Sequence, residues 1–183
     1  MAYRKTPSVL TVTALDAARR EIETAITLWF QDGDEVSIHT LTAAGHHVCH
    51  DLAKKKGMKS PFFFNMDLVK PEFHDEYKQI VCRAENFFKH AQRTTNARSK
   101  LTFCPEVTDA YLLDALELFH MLHGSSTPLM MAFRLRFTLS HPETARGDVS
   151  QIFDDPTAVK LGRLTKVKFL EAFLKALELR RGK

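Results

Sequence analysis

Two groups of side chains in this 183-residue chain have the types and spacing to do chemistry. The first is the segment Arg83-Ala84-Glu85-Asn86-Phe87-Phe88-Lys89-His90. A helix turns about 100° per residue, so Arg83 and His90 come within about 20° of each other, with Asn86 between them. A histidine so placed can take a proton from a ribose 2′-hydroxyl, or return one to a leaving oxygen, near neutral pH. Arginine can hold a phosphate bidentately and offset its growing negative charge. Asparagine can orient a phosphate or a sugar hydroxyl. Arg83, Asn86 and His90 are therefore the candidate catalytic set for phosphoryl transfer in RNA cleavage. Lys89 and Arg93 beside them are candidate substrate-binding cations.

On these residues the chain resembles the HEPN domains, a helical family with many ribonucleases of bacterial toxin and phage-defence systems. That family carries Arg, four to six residues, then His on one helix, and six residues separate Arg83 from His90. The resemblance implies a metal-independent ribonuclease, or an RNA-binding protein, acting as a homodimer in which two copies of the motif meet. Arg134 and Arg136 also stand at suitable distances before His141, but that pairing straddles the helix end expected at Pro142.

The second group is histidine. His39, His46 and His50 lie within about 40° on one helix face, and His46 and His50 could share a metal, with His120 and His123 as further ligands. No HExxH or ExxH pattern accompanies them, and the apolar stripes hold no carboxylate of the kind a di-iron bundle turns inward. This histidine face also points away from the apolar stripe of its helix. Exposed histidines, no metal and no other cofactor are the expectation. Cys49, Cys82 and Cys104 form no CxxC pair and no disulfide framework. They read as reduced thiols in a cytoplasmic protein, Cys49 and Cys82 as small core fillers. GxSxG, GxGxxG and P-loop patterns are absent.

Positioning these groups falls to helices. A capping box at Thr13 and Asp16 opens a first helix from about Ala14 to Gln31. Asp32-Gly33-Asp34 separates it from a second, Glu35 to Lys56, with the stripe Ile38, Leu41, Gly45, Val48 and Leu52 and a stop at Gly57. Phe62-Phe63-Phe64 should pack as a lid on the core, in a loop or short helix. Pro71 opens a third helix to about Arg93, with the stripe Phe73, Tyr77, Ile80, Ala84, Phe87 and Ala91. A central, nearly all-apolar helix runs from Pro105 to Gly124 and a fifth from Leu129 to Ser140. A surface loop over Glu143–Asp155 leads to a last helical region from Pro156, including Lys166–Arg181.

The expected fold is all-α: one domain of about six helices over 1–183, with 1–12 and 182–183 as loose ends. No stretch is long and apolar enough to span a bilayer, so no membrane role is expected. The net charge of +4 permits an acidic partner such as RNA. Apolar helix ends and the amphipathic last helix point to a homodimer. If the Arg83–His90 stripe is only a rim, the alternative is a non-catalytic helical protein that binds a partner protein or a small ligand.

Overall fold

A computed structural model describes residues 9–90, 98–142 and 155–181. Arg93, most of the loose ends and nearly all of the surface loop expected over Glu143–Asp155 lie outside the described residues. Those described form seven α-helices and no strand: α1 Ala14–Phe30, α2 Glu35–Lys55, α3 His74–Lys89, α4 Glu106–His123, α5 Pro128–Ser140, α6 Pro156–Gly162 and α7 Lys166–Arg181. None of these helices is long and apolar enough to cross a membrane.

The boundaries follow from local chemistry. Thr13 Oγ1 accepts from Asp16 N at 3.1 Å, and Asp34 Oδ2 accepts from Ser37 N at 2.7 Å. Thr127 and Asp155 cap α5 and α6 in the same way, satisfying amide groups that the first turn leaves unpaired. Gly124 closes α4 in the left-handed region, at φ 83°, where a Cβ would be strained.

Helices α1, α2, α4 and α5 enclose the core, with Ile22, Ile26, Phe30, Leu112, Leu116, Phe119 and Phe133 all shut off from water. Phe169 of α7 adds to it, stacked 6.1 Å from Phe30. At Gly45, α2 packs directly against α1. A Cβ there would meet Ile22 Cγ1 at 2.7 Å and the Ala18 carbonyl oxygen at 3.1 Å. That crossing turns α2 so that α1 lies on one flank and α4 on the other.

Two expectations are corrected and one open alternative is resolved. Pro71 starts a 3-10 turn, Pro71–Phe73, and the α-helix begins only at His74. That helix stops at Lys89, and His90 follows in an extended conformation. The Phe62–Phe64 lid is a turn, not a short helix. Its Phe64 sits at φ 58°, a conformation disfavoured for a side chain of that bulk.

Candidate functional site

The histidine face of α2 is buried, not exposed. His39 and His46 lie in the interior, because α2 is sandwiched between two helices and its buried arc is wider than its apolar stripe. Each has a polar partner on α4. His46 Nε2–H donates to Asp114 Oδ2 at 2.6 Å, with both side chains fully shielded from solvent. His39 Nδ1 is 3.0 Å from Thr108 Oγ1. The expectation that the buried faces hold no carboxylate is likewise overturned, by Asp114 and by Glu85.

Asp114 ties three pieces of chain together. Its other oxygen accepts from the backbone N–H of Phe62 at 2.8 Å, which anchors the lid to α4. The lid then covers the histidines: the Phe64 ring centroid lies 5.5 Å from those of His46 and His47 and 5.4 Å from that of His50. His50 Nδ1 is 2.8 Å from the buried Ser60 hydroxyl. Packing on three rings at once holds Phe64 in its strained backbone conformation.

Electrostatics follow from this burial. Desolvation pushes the pKa of His46 below its ordinary value, against the opposing pull of Asp114. Burial does the same to His39 and to His50. Around Glu85, burial works to raise the carboxyl, but the His47 hydrogen bond and charge, aided by Lys89, bring it below the usual value. His47 Nε2 stands 2.8 Å from both Glu85 oxygens, and Lys89 Nζ is 3.8 Å from one of them.

Helix α3 turns Glu85, its one buried residue, toward α2, and leaves its expected core stripe half-buried or exposed. Ile80 is 65% exposed and Phe73 50% exposed. Between α3, α2 and α4 lies a cavity of about 350 Å³. Tyr77, Ile80, Val81 and Ala84 of α3 line it, together with His39 of α2, Tyr111 of α4, Phe63 and Phe103. Exposed Ile80 and Val107 rim it. Among the described residues, two buried polar atoms on this wall have no hydrogen-bond partner, His39 Nε2 and the Tyr111 hydroxyl. Burial keeps the Tyr111 phenol protonated well beyond its ordinary range.

Comparison with protein-family models, curated proteins and solved structures finds no match. The assignment thus rests on the geometry of the site.

Of the residues singled out by spacing, Arg83 lies on the cavity wall and is exposed. Asn86 is half-buried on α3. His90 is exposed just past the helix end, so the helical phase that aligned it with Arg83 does not extend to it. Arg134 pairs with Glu117 at 2.7 Å, and Arg136 donates to the Gly162 carbonyl at 2.6 Å. His120 and His123 point to serine hydroxyls, Ser126 and Ser125, at 3.1 and 3.0 Å. Spacing missed Tyr111, Asp114 and Thr108. The one sequence signal for them was polar residues inside an otherwise apolar helix.

Proposed function

We propose that the protein is a non-catalytic helical binding protein for a small apolar molecule bearing one polar head, held in the cavity between α2, α3 and α4. The observation that carries this is a pair of buried polar atoms without a hydrogen-bond partner among the described residues, His39 Nε2 and the Tyr111 hydroxyl, on two residues of a mainly apolar wall that also carries Arg83 and Thr102. Buried polar groups are nearly always hydrogen-bonded, and each one left unsatisfied costs about 1–3 kcal/mol. A bound hydroxyl or carboxyl group supplies the missing partner. Known ligand sites are about 300–1,000 Å³, mainly apolar and fitted with a few polar groups. A cavity of about 150 Å³ takes benzene, so one of about 350 Å³ has room for a two- or three-ring molecule. Arg83 on the wall suits an anionic head as well as a neutral one. A cytoplasmic setting goes with this reading, since none of the three cysteines is in a disulfide.

The test is a fluorescence titration with 2-naphthol. The wild type should bind one equivalent saturably, and Tyr111→Phe should weaken binding about 2- to 12-fold, the worth of one hydrogen bond. No saturable binding by the wild type would remove the reading.

A second reading is RNA cleavage by a homodimer using Arg83, Asn86 and His90, with Lys89 and Arg93 on the substrate. One observation favours it: Glu85, the carboxylate nearest Arg83 in sequence, is turned inward to His47. Arg83 is exposed, with no ion pair among the described residues. His90→Ala should then lower cleavage about 10²–10⁴-fold while the melting temperature stays put. Equal treatment of a broad RNA panel by wild type and variant would dismiss it.

A further inference from the structure

We infer that His47, Cys82 and Glu85 form a site for one divalent metal ion of the zinc class, held between α2 and α3. One ring nitrogen of His47, the Cys82 sulfur and a Glu85 carboxylate oxygen all lie within 4.8 Å of one another. On tetrahedral zinc, with bonds of about 2.0–2.3 Å, such donors stand about 3.3–3.8 Å apart. Side-chain adjustments of about an ångström therefore close the three onto one ion.

The elements suit this. Cys82 and Glu85 are three apart on α3 and share one face, while His47 reaches across from α2. This face of α3 is not the one that lines the cavity, where Tyr77, Val81 and Ala84 lie. Hydrogen bonds already hold the donors converged: the His47 ring spans both Glu85 oxygens, and the Cys82 thiol bonds the same carboxylate. A metal replaces the protons of that cluster. The Cys82 thiol gives its proton to solvent and binds as thiolate, and the His47 ring carries its proton on the other nitrogen. Thiolate and carboxylate together then balance the charge of the ion.

A mixed sulfur, nitrogen and oxygen donor set suits zinc or cobalt and disfavours magnesium or calcium. The Glu85 side chain is 7% exposed and that of His47 is 38% exposed, so the site is closed below and open above. Three protein ligands with one open position leave room for a bound water, the arrangement in which zinc acidifies that water.

The test uses untagged, chelator-stripped full-length protein titrated with Co²⁺. The wild type should take up one equivalent with a thiolate-to-cobalt absorption band. Cys82→Ser should abolish the band, and Cys104→Ser, at an exposed thiol on another element, should keep it. Partners that merely orient metal ligands are worth about 10–100-fold in affinity, so Glu85→Gln, which alters a direct donor, should weaken uptake by at least that. If Cys82→Ser does not fold, the wild type still decides: stoichiometric Zn²⁺ should slow alkylation of Cys82 at least about tenfold by the same principle and leave Cys104 unaffected. A wild type with no thiolate band, a band surviving in Cys82→Ser, or unchanged Cys82 alkylation overturns the site.

Discussion

His46 Nε2 and Asp114 Oδ2 meet at 2.6 Å with neither side chain reaching water. Asp114 is also the acceptor for the lid amide of Phe62. Removing it leaves the buried His46 donor unpaired, at about 1–3 kcal/mol, and releases the half-buried amide of Phe62. Asp114→Ala should therefore lower the unfolding free energy by several times the effect of an ordinary surface substitution and free the lid. Asp114→Asn, which keeps one oxygen acceptor, should cost less. Urea unfolding followed through Trp29, the single tryptophan, reads both. An unchanged midpoint for Asp114→Ala would show that the pair does not hold the lid to α4.

Much of the fold was legible because helix ends are local events. Thr13, Asp34, Thr127, Asp155 and Gly124 each act within one turn, and each lies at or next to the boundary expected for it. The site was less legible because its pairings are not local. His46 and Asp114 are 68 residues apart, and His39 and Thr108 are 69. Period alone marks one apolar stripe on α2, yet contact with both α1 and α4 buries a second strip that happens to carry the histidines. On α3 the reverse occurred: an apolar stripe that spacing assigns to the core borders a cavity, and Glu85 takes the buried position.

Gly45 marks the α1–α2 crossing. Alanine is favoured over glycine within a helix by about 1 kcal/mol, but its Cβ would lie 2.7 Å from Ile22 Cγ1, part of a packed side chain. Overpacking of this kind costs about 1–3 kcal/mol. Gly45→Ala should be net destabilising, read as a lower denaturant midpoint, and its cost should shrink when it is added to Ile22→Ala, which removes the Cγ1 it would meet. A more stable single variant would mean that the two helices separate freely.

His39 gives a pH dependence of defined sign. Burial is the main cause of its lowered pKa, Glu85 opposes it and Lys89 adds to it. A base that is harder to protonate when folded contributes stability in full above its unfolded value near 6.5, and that stability is lost as pH falls through the folded value. His46 and His50 act in the same direction. His39→Asn should therefore show a shallower loss of stability below that pH than the wild type. Superimposable pH profiles would mean that His39 is not desolvated in the folded state.

Thiol chemistry distinguishes the three cysteines. Cys49 is fully buried, and burial pushes its pKa up to about 12. The thiolate is the reactive form, so iodoacetamide should modify exposed Cys104 in the native protein and reach Cys49 only on unfolding. Peptide mass analysis follows each site. Native modification of Cys49 at the rate of Cys104 would contradict its place in the core.

A small apolar molecule in the cavity beside His39 and Tyr111 must leave when that cavity is filled. The most direct measurement compares 2-naphthol binding to the wild type and to Ala84→Phe, in which a ring fills the cavity from the α3 wall. The wild type should bind saturably at one to one and Ala84→Phe should not bind, with the variant melting no lower than the wild type. Binding of equal strength in a folded Ala84→Phe, or none by the wild type, would contradict it.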